Sequence, residues 1–233
     1  MSRKKPAKRT KQDVSFNSEP RQTSNKPSNN FHIEFLNQAQ RDAWNVIDNN
    51  EITFLVGPAG SAKSFLSTAY AVKSVLSKTH KRIILSRPVV EAGGEKIGFL
   101  PGMMEEKLLP YLLPIYDNLD EMIGKSGFQR ELINKCLEVA PIAFLRGRSF
   151  HESVCILDEA QNITYEQMVL YLTRIGRKGK LIINGDPMQS DLRSCCLPEV
   201  IKKVEGIKGI GVVKLDNTAI VRNPIISQIL ERL

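Results

Sequence analysis

Gly57-Pro58-Ala59-Gly60-Ser61-Ala62-Lys63-Ser64 is a run of small residues closed by a lysine and a hydroxyl, with Phe65 next in line. Small side chains let backbone N–H groups curl round phosphate oxygens. A lysine at this offset reaches the β- and γ-phosphates of a nucleotide, and the Ser64 hydroxyl can ligate Mg²⁺. A second centre is Asp158-Glu159, directly after the apolar run Val154-Cys155-Ile156-Leu157. This is the Walker B form. Asp158 would hold Mg²⁺ through water, and Glu159 would act as base for the attacking water. A third is Gln189, after Gly185-Asp186-Pro187. An amide there can sense the γ-phosphate or orient the water.

These groups need elements that converge on one point. The apolar runs at 52–56, 82–86, 154–158, 180–184 and 210–215 read as buried parallel strands. The chemical residues follow three of them, where open α/β sheets place ligands. Helices are expected over Gln38–Asp48, Phe65–Leu76, Phe128–Val139, Leu197–Val204 and Ile225–Leu233, and from a Thr164 cap to about Arg174. Another is expected over Met103–Ile123, broken at Pro110 and Pro114. Ile142–Leu145 reads as a short strand, and residues 91–102 as a glycine-rich loop. The expected fold is α/β: a RecA-like P-loop architecture whose parallel sheet has five strands or slightly more, flanked by helices on both faces. Residues 1–30 read as a disordered basic tail and 31–233 as a single domain, with 91–150 as a loop and helical insertion. Placing Glu159 as base favours a layout in which another strand separates the P-loop strand from the Walker B strand. One position departs from the phosphate-loop pattern. Ala62 stands where glycine is usual, which costs little if its φ is negative.

The chain has 233 residues and a net charge of +8. Residues 1–30 carry eight Lys/Arg against Asp13 and Glu19, leaving 25 basic and 23 acidic residues elsewhere. The basic character therefore belongs mostly to the tail, which is either an arm for nucleic acid or a solvated segment. The four cysteines, Cys136, Cys155, Cys195 and Cys196, form no CxxC pair. Reduced thiols in a cytoplasmic compartment fit that pattern. No apolar run is long enough for a transmembrane helix.

Leu36-Asn37-x-x-Gln40-x-x-Ala43 resembles the Q motif of superfamily 1 helicases, whose glutamine holds the adenine edge. An amide suits this because it donates and accepts in one plane. Further ordered strings are Arg87-Pro88, Gly98-Phe-Leu-Pro-Gly102, Arg146-Gly147-Arg148-Ser-Phe, Ile156-Leu-Asp-Glu-Ala-Gln-Asn162, Leu172-Thr-Arg-Ile-Gly176, Gly185-Asp-Pro-x-Gln189-x-Asp191 and Val221-Arg222-Asn-Pro. Together they resemble the PhoH family of P-loop ATPases in its short, phage-type form, from about Leu36 to Leu233. The resemblance implies binding and hydrolysis of ATP with Mg²⁺, a location in the cytoplasm (the host's, if phage-encoded), and a link to RNA metabolism and phosphate starvation. It also suggests a hexameric ring. Ala62, Asn223 and Gly93-Gly94 depart from the family's usual residues.

Phosphoryl transfer calls for a cation at the developing charge. A chain of this length has room for one motor domain. Either Arg222 reaches its own site, or a neighbouring subunit supplies an arginine in trans, with Arg222, Arg174, Arg146 and Arg148 as candidates. The expected activity is Mg-dependent ATP hydrolysis coupled to RNA or single-stranded nucleic acid, with Glu159, Gln189 and Arg222 as catalytic residues. The alternative is a nucleotide-dependent scaffold with negligible turnover.

Overall fold

The structure, a computed structural model, describes Phe31 and residues 33–88 and 104–216, without the side chains of 104–112. The basic tail, the glycine-rich loop 91–102, Arg222 and the expected C-terminal helix lie outside these residues.

The α-helices and strands follow in chain order: α1 (Gln38–Asn49), β1 (Ile52–Val56), α2 (Lys63–Leu76), β2 (Arg82–Ser86), α3 (Met104–Ile123), α4 (Phe128–Cys136), β3 (Leu137–Val139), β4 (Ser153–Leu157), α5 (Tyr165–Leu172), β5 (Lys180–Gly185), α6 (Leu197–Val204) and β6 (Ile210–Lys214). The strands form one six-stranded sheet in the order β3-β2-β4-β5-β1-β6, and every pairing is parallel. β5 lies between β1 and β4, so another strand separates the P-loop and Walker B strands, as expected.

The central strands are mostly apolar because both faces of the sheet are covered. Alternate side chains serve opposite cores. Leu55, Val154, Ile156 and Ile182 pack with α1–α4 through residues such as Trp44, Leu66, Ile115 and Ile133. Phe54, Cys155, Leu157, Leu181 and Ile183 pack with α5 and α6 through Met168, Tyr171, Leu197 and Ile201. Cys155 is fully buried, and burial pushes its thiol pKa up, so it is packing material.

Three expectations are corrected. The helix expected over Phe128–Val139 ends at Cys136, and Leu137–Val139 becomes β3, an edge strand beside β2. Ile142–Phe144 is a 3₁₀ turn rather than a strand. Pro141 precedes it in an extended conformation, and the Phe144 and Leu145 N–H groups bond back to Pro141 and Ile142 instead of to a neighbouring strand. α3 runs unbroken through Pro110 and Pro114. Each proline removes a helical donor at a cost of about 3 kcal/mol, offset by burial of Ile115 and Leu119 against the α2 side of the core. Among the described residues of this segment, β3 joins the sheet and α3 and α4 add to the core.

α1 is anchored at both ends. Asn37 caps its N-terminus through the Gln40 N–H at 2.9 Å. At its C-terminus the buried Lys180 ammonium donates to the carbonyls of Ile47, Asp48 (3.1 Å) and Asn50 (2.8 Å) and lies 4.8 Å from the centre of the Tyr70 ring. Burial pushes the Lys180 pKa down, opposed by the charges of Asp48 and Glu51. This anchor fixes α1, and with it Gln40, against the start of β5. Among the described residues no helix is long and apolar enough to cross a membrane.

Candidate active site

The carboxyl ends of β1, β2, β4 and β5 surround a cavity of about 750 Å³. Sheet register brings them level: Val56 lies beside Gly185, and Leu157 beside both Ser86 and Ile183. Lining the cavity are Gln40, the phosphate-loop residues Ala59, Gly60, Ala62, Lys63, Ser64 and Phe65, and Asp158, Glu159 and Gln189. Residues separated widely in sequence thus meet in one space.

Three expected loop residues, Gly57, Pro58 and Ser61, do not line the cavity, and each takes part in a bond that shapes the loop. The Lys63 ammonium donates to the carbonyls of Gly57 (2.6 Å) and Pro58 (2.8 Å). Ser61 is buried and its hydroxyl donates to the Pro58 carbonyl at 2.8 Å. These bonds set the loop's curvature just before α2 begins at Lys63.

Ala62 does not have the negative φ that would make it inexpensive. Its φ is 62° and ψ 19°, in the left-handed region. An L-residue there costs about 1–2 kcal/mol. Ala62→Gly should therefore stabilise the fold by about 1 kcal/mol, raising the melting temperature by about 3 °C. Thermal unfolding checks this, and a lower melting temperature would contradict it.

Asp158 is buried and receives two hydrogen bonds on Oδ1, from Ser64 Oγ (2.9 Å) and Asn184 Nδ2 (3.1 Å). Asn184 also donates to Ser67 Oγ at 2.8 Å, while its fully buried Oδ1 has no partner. A hydroxyl, a carboxylate and an orphaned amide oxygen beside one cavity form a set of hard oxygen groups. That set fits Mg²⁺ with its bound waters. Sequence reasoning missed Asn184. Its signal was a polar residue directly after the apolar run Leu181-Ile182-Ile183.

Glu159 also adopts the left-handed region, with φ 56°. This turns its side chain away from the line of β4. Its Oε1 accepts from Arg87 Nη2 at 3.3 Å, and its Oε2 from Gln161 Nε2 at 2.5 Å. Gln189 is exposed on a 3₁₀ turn, Pro187–Gln189, capped by the Asp186 side chain through the Met188 N–H at 3.1 Å. Gln40 is buried, and its Oε1 accepts from the Leu36 N–H at 2.9 Å. That bond fixes the amide's orientation and leaves its NH₂ as the end available to donate.

Residues 32–233 match the family described as PhoH-like protein. The chain belongs to this family. A PhoH-like protein of Bacillus subtilis (strain 168) is 40% identical over 207 residues, covering 85% of this chain and 63% of the relative. Protein PhoH of Escherichia coli (strain K12) is 40% identical over 200 residues, covering 83% of this chain and 56% of the relative. The chain therefore spans between about half and two thirds of the length of these relatives. Among solved structures, the large terminase of a thermophilic bacteriophage superposes with a TM-score of 0.57 at 9% identity, over 85% of this chain and 50% of that one. At that identity the likeness speaks to the fold alone.

Within this PhoH-like fold the arginine candidates separate. Arg174 is held by its own chain, donating to the Leu170 and Arg148 carbonyls and to Thr173 Oγ1, each at 3.1 Å. Arg148 pairs with Glu138 at 2.5 Å and stacks over Phe150. Arg146 is exposed. Arg87, assigned no role from sequence, is the arginine that lines the cavity among the described residues. Its signal was a charge placed directly after a buried strand next to the Walker B strand.

Proposed function

We propose that this PhoH-like protein binds MgATP and hydrolyses it, in work coupled to RNA or single-stranded nucleic acid. The observation that carries the reading is the Ser64–Asp158–Asn184 cluster opening, with Lys63 and Glu159, on one cavity. Lys63 exchanges its bonds to the loop carbonyls for phosphate oxygens, and the α2 N-terminus adds its dipole. Ser64, and Asp158 through water, would hold Mg²⁺, which neutralises charge on the β- and γ-phosphates when bound. Gln40 donates to the adenine edge. Glu159 takes the proton of the attacking water, and Gln189 orients that water. The cation at the developing charge is Arg222, or an arginine from a neighbouring copy. The second case requires a head-to-tail contact that closes as a ring, for which a hexamer is the proposed size. Arg146 is the candidate on the described surface whose side chain is exposed.

The test is steady-state phosphate release in Mg²⁺, with and without RNA and single-stranded DNA, across a salt series. Hydrolysis stimulated by one polymer, with an affinity that falls as salt rises, is the expected result. If the salt slope collapses on deleting residues 1–30, the contact belongs to the tail. Nucleotide binding with no phosphate release under any condition would favour the scaffold reading instead.

A further inference from the structure

Gln161 follows the proposed base by two positions, on the 3₁₀ turn Ala160–Asn162, and is 1% exposed. Its amide is bonded at both ends. The Asp186 N–H meets Oε1 at 3.0 Å. A backbone N–H can only donate, so the carbonyl end of the amide must face Asp186. The NH₂ end is thereby turned to Glu159, where it meets Oε2 at 2.5 Å. The orientation follows from donor chemistry rather than from the similar shapes of oxygen and nitrogen.

The same turn is joined to the loop after β5 at three further points. The Gln161 carbonyl accepts from Ser190 Oγ at 2.9 Å. Asn162 Nδ2 donates to Asp191 Oδ2, and the Asp191 N–H returns to Asn162 Oδ1, both at 2.8 Å. The loop thus held, Asp186 to Asp191, carries Gln189. Packing closes round the amide: a Cβ on Gly185 would come within 2.4 Å of Leu197 Cδ2 and 3.4 Å of Gln161 Oε1. A buried amide fully bonded on both sides resists rotation, because any rotation leaves a buried polar group unpaired.

We infer that Gln161 is a positioning residue that fixes the Glu159 carboxylate and ties it to the Gln189 loop, so that base and water-orienting amide move as one unit. The inference rests on Glu159 being the base of an ATP hydrolysis reaction. A shift of the loop on contact with the γ-phosphate would be transmitted through Asp186, the Gln161 amide and Glu159 Oε2.

The full chain carrying Gln161→Met, which keeps length and loses both bonds, or Gln161→Glu, which keeps the acceptor for Asp186 and replaces the neutral amide donor by a carboxyl group against Glu159, separates the possibilities. MgATP affinity should stay within about twofold, while kcat falls by about 10–100-fold, as for other residues that orient reacting groups. Affinity for MgADP with aluminium fluoride, a mimic of the transferring phosphoryl group, should fall with kcat. In a Glu159→Gln background, Gln161→Met should lower residual turnover by less than about twofold, since the group it aligns is gone. An undiminished kcat overturns the inference. So does a loss of ATP affinity and mimic affinity together, or a full further loss of turnover in the Glu159→Gln background. If Gln161→Met fails to fold, Gln161→Glu decides on the same criteria. Absence of phosphate release from the wild type would instead overturn the reading of function on which this rests.

Discussion

Glu159→Gln should leave MgATP affinity within about twofold and lower kcat by about 10³, within the range seen when a general base is removed. The glutamine keeps the length of the side chain and an oxygen that can still accept from Gln161. What it loses is the ability to take a proton. The fold should change little, because the Arg87–Glu159 pair is partly exposed, with 22% and 39% of the two side chains accessible. ATP should therefore be retained and phosphate not released. Equilibrium binding of a fluorescent ATP analogue beside steady-state phosphate release measures both. Turnover within threefold of wild type would remove Glu159 from the role of base.

The second large effect falls on stability. Gly57 opens the phosphate loop, yet its Cα faces the sheet's edge. A Cβ there would lie 2.3 Å from the Leu215 carbonyl oxygen and 2.9 Å from Leu215 Cβ. Leu215 is buried and donates its N–H to the Val56 carbonyl at 2.7 Å, just beyond β6. Relief would require β6 to part from β1, or the loop to shift out of the position that Lys63 braces. Gly57→Ala should cost about 3 kcal/mol, lowering the melting temperature by about 8 °C in a chain of this size. A melting temperature within 2 °C of wild type (about 0.7 kcal/mol on the same scale) would contradict the close approach. This glycine thus serves strand packing at the entrance to the proposed phosphate loop.

The strands that lead to the candidate site were legible because both faces of a parallel sheet are covered, giving apolar runs that end at the candidate residues. β3 was not legible. Leu137-Glu138-Val139 continues directly from the helical pattern of α4 with no glycine or proline between them, and three residues carry little periodic signal. Ile142–Phe144 misled in the opposite direction, since an apolar triplet after proline suits a strand as well as a buried turn. The breaks expected at Pro110 and Pro114 failed because packing outweighed the missing donors.

At the candidate site, the motif residues were read from their types and spacing, but their mutual support was not. The φ of Ala62 is set by how the loop joins α2, which no local pattern encodes. Arg87 meets Glu159 across 72 positions of sequence. Asn184 reaches Asp158 only because β5 lies beside β4. Gln161 was visible as part of a family string, yet its role depends on an N–H from Asp186 on a different strand end.

The central claim is that the cavity hydrolyses ATP with water activated at Glu159. The most direct measurement is phosphate release from ATP by the full chain, with Mg²⁺ and with EDTA, in wild type and Glu159→Gln, with RNA and single-stranded DNA supplied in separate reactions. The account predicts Mg-dependent release that saturates with ATP and falls by about 10³ in the variant. ATP that binds to the wild type and is recovered intact in every reaction would contradict it.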